Sequence, residues 1–439
     1  MPEIVSDVIV IGAGMAGLAA AAELGRKGFS VSLLEARERI GGRIHTLRPE
    51  GWETPVELGA EFVHEGNPDL WRTLRRHRLG AKQVPGRHWM HDGEGLKRMD
   101  DIDDRIACIT SKIDAKRIGT RSFAEFLRMK TGGFSAEEKA IATSFVEGFQ
   151  AAPTQRMSAR SVAGATLDDK GQFQLPGGYD RVVAAVAASF AKKRVSLFAR
   201  RVVRAVTWKR GRVVVRTARE TFTARAAIVA IPLGVLQAKA GEVGAIRFDP
   251  PLRSRQKLVR AMGTGHVIRV TFRFDPVKWK TLLPDPLRSC VRVGFLHSNA
   301  KGVPVWWSMS GKPVVTGWAG GPAAIALSKR SERSVVETAL ASLGRLLGVG
   351  KNKLKAALRD YQTHNWTRDP FSRGAYTFVA AGHDDAAERL REPVRDTLFF
   401  AGEATADGEE LGTVHGALSS GRRAAKEVIT VWKKHRKRS

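Results

Sequence analysis

The chain has 439 residues, 43% of them hydrophobic, a length that can bury a large core and that predicts two domains. The only cysteines are Cys108 and Cys290, which excludes a disulfide framework and suits a reduced cytoplasm; Cys and His also lack metal-ligand spacing. A net charge of +29 and a pI near 10.7 raise a nucleic acid as partner, yet the basic residues are spread along the chain and no zinc-finger or RNA-binding signature accompanies them, so solvated basic surface is the preferred reading.

Helix and strand signals alternate throughout, which predicts an α/β protein. A strand over Asp7–Ile11 begins too early to leave room for a signal peptide, and no apolar run approaches the roughly 18 residues of a membrane span. A cytoplasmic location is expected. The strand runs into Gly12-Ala-Gly14-Met-Ala-Gly17 and an alanine-rich helix. Gly12 permits a tight turn, Gly14 lets backbone approach a pyrophosphate, and Gly17 lets helix pack on strand. Glu35 closes the next strand, Val31–Leu34, where a carboxylate can hold ribose hydroxyls. Arg37 through Gly41-Gly42-Arg43 offers a second glycine turn with guanidinium groups beside it.

Beyond Pro68, apolar Met99, Ile102, Ile106, Ile109 and Ile113 fall at helical spacing. Ser122/Glu125 and Ser135/Glu138 each read as a capping box that opens a further helix. A helix is expected over Val182–Phe190, then a basic strand meander (Val202–Val206, Arg212–Arg216) within the stretch from Lys192 to Arg219, and a buried strand from Ala226. Strands over His266–Phe274 and Val303–Met309 precede a helix, Ser331–Leu347, closed by Gly348. A buried strand at Leu398–Ala401 and a small-residue helix at Thr413–Val428 follow. The tail from Lys433 to Arg438 reads as disordered.

Gly402-Glu403 decides the cofactor class. A buried strand ending in glycine and a carboxylate can receive the ribitol hydroxyls of a flavin, a need that NAD does not have. A helix beginning near Thr413-Val414 would aim its amides and positive dipole end at the same place.

With these segments in hand, the chain resembles the flavin amine oxidase family of monoamine, polyamine and L-amino-acid oxidases and flavin histone demethylases. Matching segments include Gly12–Gly17, Glu35 through Arg43, Glu57-Leu-Gly59-Ala60-Glu61-Phe62 and Ile231–Leu236. Gly317–Gly321, Trp366 through Asp369-Pro370, Ala401–Thr405 and Thr413–Ala417 complete them. The resemblance implies an FAD-binding Rossmann-type domain, glutathione-reductase-like, with an inserted α+β substrate domain. The expected boundaries are 1–74, 172–248 and 386–432 for the first, 75–171 and 249–385 for the second, and 433–439 for the basic tail. It implies non-covalent FAD, since Ala375 stands where monoamine oxidases carry the linking cysteine. Adenine would be held partly by the backbone of Val203, and Gly59, Ala60, Glu61, Trp366 and Val414 would complete the cofactor site.

The implied reaction is oxidation of a small-molecule amine or amino acid by hydride loss to flavin N5, with O2 reduced to hydrogen peroxide. Tyr376 falls at an aromatic wall beside the flavin, with a core tyrosine of the inserted sheet as the alternative. Thr413 replaces a second wall tyrosine of monoamine oxidases. Arg269 stands where the family has a lysine that holds water against N5, with an outward-facing strand arginine as the alternative. Trp306, Trp307 and Trp318 read as core before pocket, and His64 and His415 as structural before catalytic. The acidic loop of Asp407, Glu409 and Glu410 reads as solvated before amine-attracting. Two other readings stay open: a dehydrogenase or desaturase using another acceptor, and a polyanion-binding flavoprotein with little turnover. Oligomeric state is not indicated.

Overall fold

The computed structural model describes residues 2–64, 67–84, 86–91, 94–129, 133–166, 171–191, 193–285, 287–289, 293–298, 302–308 and 312–436. Lys192, Cys290, Met309 and residues 437–439 lie outside them.

Four of the expected elements form one parallel sheet. Its order is Val195–Phe198, Val31–Leu34, Val8–Ile11, Ala226–Val229, Leu398–Phe400. The three central strands are buried at every position, which explains why they read as unbroken apolar runs. The helix Met15–Arg26 covers one face and packs closely on the last helix, Val414–Arg436; a Cβ on Gly421 would lie 2.0 Å from the carbonyl oxygen of Ala16, so only glycine allows that approach. The other face carries a second sheet containing the basic meander. The meander's first strand starts at Ala205, because residues 201–203 run as a non-strand connection along the cavity described below.

A seven-stranded sheet forms the second core. Its order is Leu358–Asn365, Val267–Phe274, Val314–Gly320, Val305–Ser308, Gly294–Ser298, His88–His91, Leu96–Arg98. The helix Glu332–Leu347 packs on its back and ends at Gly348, whose φ of 66° is left-handed. Helices Ile102–Thr110, Phe123–Arg128 and Ala136–Ser144 make a third cluster. Both capping boxes are present in full, at Ser122/Glu125 and Ser135/Glu138. Ala136–Ser144 runs directly into a π-helical turn, Phe145–Phe149.

The last helix corrects the expectation of a disordered tail, for it continues through Arg436. Trp432 anchors its final turns against Phe29, ring centroids 5.0 Å apart, with the Arg225 guanidinium 4.1 Å above the indole. Basic residues also suit a helix C-terminus, where the backbone dipole is negative.

Candidate active site

A single cavity of about 830 Å³ runs from the first glycine turn to the exposed face of the seven-stranded sheet. At its first end the backbone makes the walls. A Cβ on Gly17 would fall 1.8 Å from the Gly12 carbonyl oxygen, and one on Gly12, at φ 99°, would fall 2.6 Å from the Ala230 oxygen. A Cβ on Gly14 would meet nothing within 4 Å, which is the open side that a pyrophosphate needs. Gly14 bridges to Gly41, so the second glycine turn closes on the first. The helix starting at Met15 has no side-chain cap, leaving its first amides to a ligand.

Glu35 is buried, its Oε2 accepting from the Ala13 amide at 2.8 Å and its Oε1 from the Arg37 amide at 2.9 Å. Next to it, the Val203 N–H and C=O have no hydrogen-bond partner among the described residues and face the cavity. The Arg37 guanidinium is fixed by Asp369 at 2.5 Å and by the Ser372 hydroxyl at 2.9 Å. Burial alone would raise the Asp369 carboxyl, but a hydrogen bond from His364 and the Arg37 charge hold it below its usual range. These features fit a dinucleotide-like cofactor: open backbone at the phosphate position, a fixed carboxylate and an unpaired amide edge.

Midway, Gly402 adopts φ 129° and delivers Glu403 into the cavity wall. Glu403 accepts from Arg43 at 2.8 Å and from the Thr377 amide at 3.2 Å, and Arg43 also donates to the Ala375 carbonyl. Val414 opens the last helix here. Thr413 caps it, its hydroxyl donating to the Glu410 carbonyl at 2.7 Å and accepting from the Gly416 amide at 2.9 Å. His415 and His64 face each other, ring centroids 6.1 Å apart. Burial, reinforced by His64, holds the His415 imidazole down at about 4, and burial lowers His64 as well, so both are neutral near pH 7.

At the far end side chains make the walls. Arg269, 2% exposed, points inward rather than outward: it pairs with Glu61 and donates to the Gly59 carbonyl at 3.3 Å. Glu61 also accepts from Trp307 at 3.3 Å and from Gln174, so one carboxylate joins three elements. The remaining cofactor candidates frame this place. Gly59 must be glycine, since a Cβ would fall 1.8 Å from the Arg43 oxygen, while Ala60 donates to that oxygen and Trp366 donates to the Leu58 carbonyl at 2.8 Å. Trp307 and Trp318 line the cavity, and Trp306 is the core tryptophan of the three. Tyr376 lines it too, its hydroxyl donating to the Phe149 carbonyl at 2.5 Å, and burial pushes its phenol up. Trp318 donates to the Gly148 carbonyl at 3.0 Å, so the π-helical turn hangs from two aromatic donors.

The cavity thus gathers every sequence-predicted site residue except Gly17, which acts behind the wall. Missed from sequence were Thr377, Gln174, the π-helical turn and the pair His88–His297. Alternation on the flanking strands was the available signal for the last.

This arrangement is that of an FAD-binding α/β oxidoreductase with a substrate domain. Residues 15–429 match the family of flavin containing amine oxidoreductases, and the chain belongs to it. It is 29% identical to polyamine oxidase 3 of Oryza sativa subsp. japonica, covering 96% of this chain and 88% of that protein. It is 30% identical to polyamine oxidase 2 of Arabidopsis thaliana, covering 96% and 87%. A putrescine oxidase structure with bound putrescine shares the fold at TM-score 0.76 and 23% identity, covering 98% and 100% of the two chains. Cyclohexylamine oxidase from Brevibacterium oxydans shares it at TM-score 0.77 and 19% identity, covering 98% and 99%. The protein is an FAD-dependent enzyme that oxidises amines. No described helix is long and apolar enough to cross a membrane.

Proposed function

We propose that the substrate is an extended primary or secondary amine of the di- or polyamine kind and that oxygen is the electron acceptor. The carrying observation is the continuity of one cavity from the Gly12–Gly17 cradle to the Trp307, Trp318 and Tyr376 wall. The names of the plant relatives support the polyamine class.

FAD, when bound, would supply a two-electron acceptor for hydride from the carbon beside the amine nitrogen, with O2 as the oxidant that would restore it and yield hydrogen peroxide. The released imine is hydrolysed by water to a carbonyl compound. Gly12, Gly14 and Gly42 admit the pyrophosphate, with Arg37 and Arg43 supplying positive charge. Glu35 would hold the adenosine ribose, Val203 the adenine edge and Glu403 the ribitol chain. Tyr376, fixed through its hydroxyl, offers a ring face to the amine nitrogen, which favours the protonated amine as it binds. Arg269 keeps positive charge at the reacting end but cannot act as an adjustable proton relay. We also propose the two discontinuous domains with the boundaries given above, and a cytoplasmic location, which two cysteines in 439 residues suit.

Anaerobic mixing with amine and amino-acid panels tests this reading, because flavin bleaching reports the reductive step whatever the acceptor. Bleaching by di- and polyamines is expected; bleaching only by amino acids would reject the substrate class. A second reading, a dehydrogenase with a non-oxygen acceptor, is favoured by the ion pair that occupies Arg269. Peroxide yield per bleached flavin separates the two. The flavin is expected to be non-covalent: acid precipitation should leave a colourless pellet, and a yellow one would refute it.

A further inference from the structure

The substrate face of the seven-stranded sheet is a ruled surface. Strand register places Arg269 opposite Trp318, Trp318 opposite Val305, Val305 opposite His297, and His297 opposite Met90. All five line the cavity, so they form one row that leads away from the reacting end. Three strand spacings of about 4.8 Å set His297 roughly 14 Å along the sheet from Arg269. A short alkylamine held near Arg269 does not reach it; an extended chain does.

At that distance the wall stops being purely apolar. His88 Nδ1 and His297 Nε2 lie 2.9 Å apart and share one hydrogen bond. The His88 ring stacks on Phe295, centroids 5.2 Å apart and planes 14° from parallel. Trp89 and Leu296, the alternate residues on the same strands, face the opposite core, so the pleat alone turns both imidazoles inward. Neither outer nitrogen, His88 Nε2 nor His297 Nδ1, has a partner among the described residues. In a neutral pair the shared proton leaves one outer nitrogen as an acceptor and the other as a donor, whichever tautomer is present.

Burial, with the neighbouring His88, holds the His297 imidazole down at about 3, and burial lowers His88 too. The pair is therefore uncharged near neutral pH and does not repel a cation. An acceptor nitrogen beside an aromatic face suits a protonated amine: the N–H donates to the imidazole and the charge rests against the ring. The pair's one outer N–H is uncharged and the negative ring face disfavours an anion, so a carboxylate or phosphate is served less well here.

We propose that the His88–His297 pair, backed by Phe295, is a far-end subsite for the distal nitrogen of a linear di- or polyamine and sets a preference for long substrates. This rests on the amine reading above. The reactive nitrogen sits at the Tyr376 end while the second nitrogen is held by the imidazoles, so the subsite acts on binding and leaves the chemical step alone.

The test compares a linear triamine with a primary monoalkylamine of matched length in wild type, His297→Phe, His297→Gln and His88→Gln, each first checked for flavin content. His297→Phe is expected to lower kcat/KM for the triamine about tenfold, the size of one lost hydrogen bond to a charged group, through KM with kcat kept. The monoamine should change by less than about twofold, and His297→Gln, which keeps a polar group, should lose less than His297→Phe. Equal losses on both amines, no loss on either, or a wild type that prefers the monoamine would overturn the subsite. If neither amine bleaches the wild-type flavin anaerobically, the amine reading itself fails. Wild-type bleaching without a selective loss rejects the subsite alone.

Discussion

At the Gly12–Gly17 end of the cavity the contacts offered are backbone amides, one buried carboxylate and open space. At the Arg269 end they are an ion pair, two tryptophans, a tyrosine and two imidazoles. The first end is made within one strand–turn–helix and cannot vary without a clash, since Cβ atoms at Gly12 and Gly17 would enter neighbouring carbonyls. The second is made by five strands drawn from separated parts of the chain, each contributing one or two side chains on a regular face, with Glu61 and Tyr376 added from outside the sheet. The end proposed for the cofactor thus rests on backbone geometry that leaves no room for a side chain at Gly12 or Gly17. A substrate peculiar to one enzyme is served by positions where side chains can be exchanged without moving the backbone.

The largest test of this contrast is Gly17→Ala. Its methyl would lie 1.8 Å from the Gly12 oxygen, so strand and helix must separate. Soluble protein should carry almost no flavin, read from the visible absorbance per chain. Normal occupancy would show that the turn has slack.

Next is Glu35→Ala. A charge-assisted hydrogen bond is worth about 1.5–3 kcal/mol, so FAD retention should weaken on the order of tenfold or more, with Glu403→Ala similar. Glu403→Ala has a second effect, since Arg43 loses its carboxylate. Dialysis followed by flavin absorbance measures both; unchanged occupancy in both would mean the cradle is misassigned.

At the other end, Arg269→Met should leave flavin bound while stranding Glu61, a carboxylate that is 11% exposed. Loss of the charge should slow reoxidation by oxygen severalfold, whereas Arg269→Lys, with a proton it can release, should speed it. Stopped-flow mixing of photoreduced enzyme with oxygen gives both rates. Equal rates in all three proteins would reduce Arg269 to a structural residue.

The smallest effect concerns Glu57, behind the wall. Burial pushes its carboxyl up to about 7, against hydrogen bonds from the Tyr179 amide and Thr46 that favour the charged form. Between its ordinary value near 4.5 and about 7 the folded protein binds more protons here than the unfolded chain. This group's contribution to stability is therefore full below the lower value and falls as pH rises through that window. In Glu57→Gln the fall in melting temperature between pH 5 and about 7 should be shallower than in wild type; identical slopes would reject the shift.

The same contrast explains what could be read from the sequence. The cradle was legible because its turn, helix and carboxylate lie within Gly12 to Glu35 and each has a local physical reason. Gly402-Glu403 was legible because a buried strand ending in glycine and a carboxylate is rare. The pairing of Arg269 with Glu61, 208 residues apart, was not, because alternation with Ile268, Val270 and Phe272 marks the face that Arg269 takes but not the partner it meets there. Nor was the His88–His297 pair, 209 residues apart, since it exists only once two strands align in register. The tail was misread for a related reason: a charge run looks solvated until Trp432 is seen seated against Phe29.

The place of Leu398–Phe400 at the edge of the parallel sheet also fixes when the protein can become yellow. Glu403 and the last helix belong to the final tenth of the chain, while Gly12 and Glu35 leave the ribosome first. During synthesis the early strand–turn–helix is an open half-site with no ribitol contact and no opposing helix on Met15–Arg26. Flavin capture is therefore expected to wait for this strand and the helix that follows it, and a translation product that stops before Leu398 should purify colourless even when its cradle is folded.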